Sequence, residues 1–118
     1  MRSNSVLIID DERNIRRSLE MILESEGYKV TCAASGEEAL DALQDNDFQA
    51  ALLDIFMPGI NGIDTLKQMK EQRPDLAVIV ISGHGTVQDA VRATRFGAYD
   101  FLEKPLSREK VLLALTHA

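Results

Sequence analysis

Hydrophobic residues along this 118-residue chain alternate between short continuous runs and wider spacing. Five short aliphatic runs are bounded by polar or turn residues, which is typical of strands buried on both faces of a sheet. These runs predict strands at residues 6–9, 28–33, 50–53, 76–81 and 98–102.

Between and after these runs, apolar residues recur three or four positions apart, as on one face of a helix. Ser35 with Glu38, and Thr86 with Asp89, have the spacing of helix-capping pairs, and Ser107 is expected to open the last helix. Gly27 and Gly97 are expected to end the first and fourth helices. The residues predicted to face the sheet are Ile15, Leu19, Ile22 and Leu23; Ala39, Leu40 and Leu43; Ile63, Leu66 and Met69; Val87, Ala90 and Val91; and Val111, Leu112 and Leu115.

Strict alternation of strands and helices predicts a parallel sheet, because each helix serves as a crossover between two strands. Right-handed crossovers then place helices on both faces. We therefore predict a doubly wound α/β sandwich of the flavodoxin-like type, with five parallel strands in the order 2-1-3-4-5. The most apolar strands, 1, 3 and 4, take the central positions. Residues 1–118 are expected to form one domain.

Composition narrows the class of protein. The net charge of −6 disfavours direct nucleic-acid binding, which needs a basic face. No apolar run is long enough to span a membrane and no signal-peptide pattern is present, so we expect a cytoplasmic protein. Cys32 is the single cysteine, which excludes an internal disulfide, and we expect it to be a small buried hydrophobe.

Charged and hydroxyl side chains follow four of the predicted strands. Asp10 and Asp11 come after strand 1, Asp54 ends strand 3, Ser82 follows strand 4 and Lys104 follows strand 5. Because parallel strands end at the same edge of a sheet, these side chains should meet there. Clustered carboxylates repel unless a cation lies among them, and Mg²⁺ prefers oxygen ligands. Asp54 could then act as a nucleophile toward a phosphoryl group.

Each of these residues also has a structural explanation. The acids after strand 1 could cap the first helix and interact with its dipole. Ser82 could simply begin a loop, and Lys104 could be a solvated surface lysine. Asp54 is harder to explain in this way, because a lone carboxylate at the end of a buried strand is unfavourable unless it is paired.

Four stretches carry a resemblance to a known family. They are residues 8–12 (Ile-Ile-Asp-Asp-Glu), 54–59 (Asp-Ile-Phe-Met-Pro-Gly) together with Asn61-Gly62, 81–85 (Ile-Ser-Gly-His-Gly) and 97–105 (Gly-Ala-Tyr-Asp-Phe-Leu-Glu-Lys-Pro). Over nearly its whole length the chain resembles the receiver domain of bacterial two-component response regulators. It is most similar to receivers of transcriptional activators that carry an ATPase module and a DNA-binding domain.

The resemblance implies a role for each site residue. Asp54 would be the phosphoacceptor, Lys104 the phosphate-contacting lysine, Ser82 the switch hydroxyl and Phe101 the switch aromatic. The resemblance also implies a cis peptide bond between Lys104 and Pro105. Mg²⁺, or Mn²⁺ in its place, would be held by Asp11 and Asp54, by Asp10 through water, and by the backbone carbonyl of Phe56.

The resemblance also implies partners. A histidine kinase or a phosphotransfer protein would donate the phosphoryl group, and an output module, absent from these residues, would respond. The chain could be a fragment or a stand-alone receiver. Many receivers form homodimers through helix 4, strand 5 and helix 5, and the resemblance implies the same surface here. The protein would be a regulatory domain, not an enzyme.

Two other functions stay open at this point. A magnesium-dependent phosphatase would use an aspartyl phosphate, but it requires an acid two residues after the nucleophile, where this chain has Phe56. An interaction module that works without phosphorylation would not need the complete set of site residues. Phe56 and His84 are further expected to lie beside the path of the hydrolytic water, with the bulk of Phe56 lengthening the life of the phosphoryl group.

Overall fold

The computed structural model describes residues 4–55, 62–83 and 87–118. Strands and helices alternate throughout this part of the chain. The strands are β1 (Ser5–Ile9), β2 (Lys29–Ala33), β3 (Ala50–Asp54), β4 (Ala77–Ser82) and β5 (Asp100–Glu103). The helices are α1 (Arg13–Ser25), α2 (Gly36–Asp45), α3 (Gly62–Gln72), α4 (Val87–Arg95) and α5 (Arg108–His117).

The strands form one parallel sheet in the order β2-β1-β3-β4-β5, which confirms the predicted topology. Successive residues of a strand point to opposite faces of the sheet. On β1, Val6 and Ile8 therefore belong to the apolar layer formed with residues of α1 and α5, whereas Leu7 and Ile9 belong to the layer formed with residues of α2, α3 and α4. Two apolar layers thus hold the sheet in place and fix where each strand ends.

The helix ends follow the predicted capping chemistry where they are described. The hydroxyl groups of Ser35 and Ser107 accept hydrogen bonds from the backbone N–H groups of Glu38 and Lys110. Gly97 has a φ of +101°, which suits glycine at the end of a helix. Thr86, the predicted cap of α4, lies outside the described residues.

The prediction for the inner face of α4 is wrong. Val87 and Val91 are 82% and 51% exposed, and Ala93 is the fully buried residue of the helix. Ala90 is half-buried. Small alanine side chains let α4 lie close to the sheet, and the two valines border an open groove beside Phe101.

Two smaller expectations also need correction. β5 begins at Asp100 instead of Ala98, because the chain is still leaving α4 through the turn at Gly97. Cys32 is exposed, not buried. It lies on β2, the edge strand, where several side chains remain in contact with solvent. No helix within the described ranges is long and apolar enough to cross a bilayer.

Candidate functional site

The carboxyl edge of the sheet brings together the polar residues that the sequence placed after separate strands. Asp10 directly follows β1, Asp54 and Ser82 are the last residues of β3 and β4, and Lys104 directly follows β5. Asp10 and Ser82 are fully buried, and Asp54 is 4% exposed. β3 and β4 are adjacent, and Asp54 lies opposite Ile81, the residue before Ser82. Asp54 and Ser82 therefore end adjacent strands at the same edge of the sheet.

Lys104 joins two of the acids. Its Nζ lies 3.0 Å from Oδ2 of Asp10 and 3.0 Å from Oδ2 of Asp54. Its backbone N–H donates to the carbonyl of Ser82 at 2.8 Å, so the lysine is anchored to the end of β4. The peptide bond between Lys104 and Pro105 is cis, as the sequence resemblance implies. This lysine is therefore not the solvated surface residue that was the structural alternative.

Burial and the neighbouring charges shift the pKa values of Asp10 and Lys104 in opposite directions. Burial raises the pKa of Asp10, and the hydrogen bonds from the Glu12 N–H and from Lys104 only partly reverse this effect. Burial lowers the pKa of Lys104, but its hydrogen bonds to Asp54 and Asp10 outweigh that effect, and its pKa is raised overall. The ammonium group is therefore firmly protonated, and it compensates two carboxylates at once.

Asp11 completes an acidic cluster. One carboxylate oxygen from each of Asp10, Asp11 and Asp54 can be chosen so that all three atoms lie within 4.8 Å of one another. Asp11 is the exposed member, so the cluster has one open side. Three carboxylates arranged in this way offer the oxygen donors that a hard divalent cation prefers.

Helix capping does not account for these acids. Glu12 is the N-cap residue of α1, but its side chain makes no capping hydrogen bond, and the first turn of α1 contains no acidic residue. Asp10 instead accepts a hydrogen bond from the Glu12 N–H at 2.9 Å through its own Oδ1. This bond holds the Asp10 carboxylate toward the cluster.

The other predicted site residues are placed only in part. Phe101 lies on β5, is half-buried, and packs against the apolar layer under α4. Phe56 and His84 lie outside the described residues, so the Phe56 carbonyl as a metal ligand and the effect of both residues on phosphoryl lifetime stay predictions.

Sequence reasoning assigned no structural role to two residues that shape this edge, although Gly62 stands in one of the stretches that carry the resemblance. Arg16 donates from Nη1 to the backbone carbonyl of Asp10 at 2.7 Å. Gly62, the first residue of α3, lies against the backbone of Ile55, the residue after Asp54. The arginine resembles any polar residue on a helix face. The glycine had a weak signal, since glycine at the start of a helix has poor helix propensity and calls for a packing explanation.

A family model described as "Response regulator receiver domain" matches residues 6–116 of the chain. The chain belongs to the response regulator receiver family. A receiver is a regulatory signalling domain, and relatives of this one include transcriptional regulators.

Individual relatives support the same assignment. The receiver is 41% identical to the NtrX-like response regulator of Rickettsia conorii over 100% of this chain and 25% of the relative. It resembles the solution structure of the beryllofluoride-activated NtrC4 receiver domain dimer, with a TM-score of 0.92, 45% identity, and 97% and 94% of the two chains covered. A crystal structure of a Burkholderia pseudomallei response regulator with a phosphorylated aspartic acid has a TM-score of 0.89 and 30% identity, with 94% of this chain and 65% of that chain covered.

The chain spans about a quarter of the length of the curated NtrX-like relatives it matches. What those longer proteins do beyond the receiver lies in segments that these 118 residues do not cover.

Proposed function

We propose that this receiver is a phosphorylation-activated switch that accepts a phosphoryl group on Asp54 from a histidine kinase or a phosphotransfer protein. The observation that carries the proposal is the position of Asp54. It is a nearly buried carboxylate at the end of a central strand, contacted by Lys104 and grouped with Asp10 and Asp11. A buried acid in such surroundings is costly for stability alone, which favours a chemical role.

In the proposed step, an Oδ atom of Asp54 attacks phosphorus in line with the phosphohistidine nitrogen. The O–P bond forms as the N–P bond breaks, and the histidine leaves with the electron pair and is then protonated. Lys104 is already within hydrogen-bond distance of Asp54 and can balance negative charge on the phosphoryl oxygens. Ser82, buried at the end of the neighbouring strand, can donate a hydrogen bond to a phosphoryl oxygen.

The acidic cluster fits a divalent cation, and we propose Mg²⁺, with Mn²⁺ as a substitute. Its donors are carboxylate oxygens, and its open side at Asp11 leaves room for water and for a phosphoryl oxygen. Asp11 and Asp54 would hold the ion directly and Asp10 through water, with the Phe56 carbonyl as a further ligand. When bound, the ion supplies positive charge that stabilises the transferring phosphoryl group.

The proposed output is a change in the surface formed by α4, β5 and α5. Ser82 ends β4 and Phe101 lies on β5, and these two strands are paired. A hydrogen bond from Ser82 to a charged phosphoryl oxygen is worth about 1.5–3 kcal/mol. This energy shifts a conformational equilibrium by roughly 10- to 150-fold, whereas a complete switch from 1% to 99% of the active state needs roughly 10⁴-fold. Repacking of Phe101 or contact with a partner must therefore supply the rest.

We also propose that the phosphorylated receiver forms a homodimer through this surface and controls an output module in transcription. Four of the five exposed large hydrophobic side chains in the described part of the chain lie on α4, just before β5, or on α5. The related NtrC4 receiver forms a dimer in its beryllofluoride-activated state. Residues 1–118 would act as one receiver domain, without direct contact to nucleic acid.

The test is phosphorylation by a small acyl phosphate donor with Mg²⁺, followed by intact-mass measurement. Wild type should gain one phosphoryl group, EDTA should suppress the gain, and Asp54→Asn should show none. Asp75→Asn, which removes an exposed carboxylate, should behave as wild type. Modification of a folded Asp54→Asn variant would place the acceptor elsewhere and overturn the proposal.

A further inference from the structure

The backbone carbonyl of Asp10 lies just beyond the point where β1 stops pairing with β2. The Asp10 N–H still donates to the carbonyl of Ala33, the last residue of β2, at 3.1 Å. Beyond Ala33 the chain turns into α2, with Ser35 as its N-cap. Asp10 is fully buried, and a buried carbonyl needs a hydrogen-bond donor. Arg16 supplies it from Nη1 at 2.7 Å, in place of a further residue of β2.

The backbone of Arg16 also forms a hydrogen bond with the loop between β1 and α1, residues 10–12. Its N–H donates to the carbonyl of Glu12 at 3.1 Å, and the Glu12 N–H donates to Oδ1 of Asp10 at 2.9 Å. The Asp10 carbonyl belongs to the peptide unit that carries the Asp11 nitrogen. Three hydrogen bonds therefore fix the orientation of the segment between the two acids.

We propose that Arg16 is a positioning residue that orients the peptide between Asp10 and Asp11, and so aims the Asp11 carboxylate into the metal site. The inference rests on the proposed function, because it assumes that the acidic cluster binds Mg²⁺. It adds a role for a residue that is neither a proposed metal ligand nor a proposed phosphoryl contact.

Electrostatics alone predicts the opposite effect for an arginine at this place. A guanidinium group beside a cation site repels the cation, so removal of its charge should leave Mg²⁺ binding unchanged or make it tighter. Loss of a hydrogen bond that orients a ligand should weaken binding, and outer partners of metal ligands typically contribute 10- to 100-fold to affinity. The direction of the change in Mg²⁺ affinity therefore distinguishes a positioning role of Arg16 from an effect of its charge.

The same helix offers matched controls. Arg13 and Arg17 lie on α1 near Arg16 and are exposed, and neither side chain makes a hydrogen bond or ion pair with the residues that the structure describes. Arg13→Gln and Arg17→Gln remove the same charge from the same helix without removing the bond to Asp10. Arg16→Lys keeps the charge and can still donate to a carbonyl, with a shorter reach.

The experiment measures the Mg²⁺ dissociation constant of each variant of the 118-residue chain by isothermal titration calorimetry, after thermal unfolding shows that each variant is folded. Arg16→Gln should weaken Mg²⁺ binding by roughly 10-fold, and Arg16→Lys should recover part of the loss. The two control variants should change affinity by less than about threefold, toward tighter binding.

A second readout uses the acyl phosphate reaction. For Arg16→Gln, the Mg²⁺ concentration that gives half-maximal phosphorylation should rise with the dissociation constant, while the rate at saturating Mg²⁺ stays within about twofold of wild type. An unchanged Mg²⁺ affinity in folded Arg16→Gln, or an equal loss in the control variants, overturns the positioning role and leaves the proposed function standing. Wild type that fails to bind Mg²⁺ overturns both.

Discussion

Two buried carboxylates share one ammonium group at this site. Lys104 lies 3.0 Å from an oxygen of Asp10 and of Asp54, and both acids are almost completely shielded from water. Burying charges is costly, and the cost is offset here only because the pairing is close on both sides. Removal of the lysine would leave two like charges facing each other without compensation.

Lys104→Met should therefore destabilise the domain in the absence of divalent cations. Breaking a buried ion pair by removing one partner costs about 3–5 kcal/mol, and we expect a loss near the lower end because the lysine side chain is 16% exposed. Added Mg²⁺ should restore part of the stability, since a cation at the acids replaces the lost charge. Urea unfolding with and without Mg²⁺ measures both effects.

The control for this prediction is Lys110→Met, which removes an exposed lysine from α5 and should change stability by less than about 0.5 kcal/mol. Equal stability of Lys104→Met and Lys110→Met would show that the ammonium group does not compensate the two acids.

At this scale the sequence predicted the residues whose position follows from strand order, and it failed where side-chain direction decides. Asp54 and Lys104 could be placed because each directly ends or follows a strand. Cys32 could not, since the pattern does not show which positions of an edge strand remain open to solvent. The bond from Arg16 to the Asp10 carbonyl depends on where β2 stops, which is a tertiary property.

At the scale of elements, the packing of the start of α3 against the end of β3 depends on a close approach of the Gly62 and Ile55 backbones. A Cβ atom at Gly62 would lie within 2.6 Å of the carbonyl carbon of Ile55 and closer still to its Cα and oxygen. Real side-chain carbons do not approach backbone atoms so closely. Because Ile55 directly follows Asp54, the start of α3 and the proposed phosphoacceptor are packed as one unit.

Gly62→Ala should consequently lower the free energy of unfolding by at least about 2 kcal/mol, within the range for overpacked interiors. The clash involves two backbone segments, so rotation of a side chain cannot relieve it. Gly83→Ala is the matched control, because the nearest atom to its added Cβ is the Lys104 Cδ at 3.7 Å, an ordinary contact. Chemical unfolding compares the two, and a Gly62→Ala variant as stable as Gly83→Ala would contradict the close approach.

α4 shows where hydrophobic pattern alone is insufficient. Val87 and Val91 have the spacing of a buried stripe, yet they lie outward while Ala93 packs on the sheet. The sequence correctly predicted that this segment is a helix, because spacing determines the element. Whether the face with Val87 and Val91 or the face with Ala93 packs on the sheet depends on how closely the helix can approach the sheet. Small side chains allow the closer packing.

At the scale of the whole molecule, the candidate site and the exposed apolar side chains lie in different parts of the fold. The carboxyl edge collects the acids, the hydroxyl and the lysine, whereas the exposed apolar side chains lie mainly on α4, just before β5, and on α5. The sheet order was predictable because strand apolarity ranks the central strands. The role of α4, β5 and α5 as an interface came only from the resemblance, and the exposure of Val87 and Val91 was not predicted.

The exposed apolar surface carries the last prediction, that the activated receiver dimerises through α4, β5 and α5. Val87, Val91 and Phe101 border a groove of about 540 Å³ on that surface, and a second copy would remove these side chains from water.

Beryllofluoride with Mg²⁺ should double the mass measured by light scattering. Val91→Asp should prevent the doubling, because dimerisation would bury the new charge. Met21→Asp, at a residue of α1 that is 70% exposed, should not. An unchanged wild-type mass at high concentration, or equal sensitivity to both substitutions, would show that this surface is not the dimer interface.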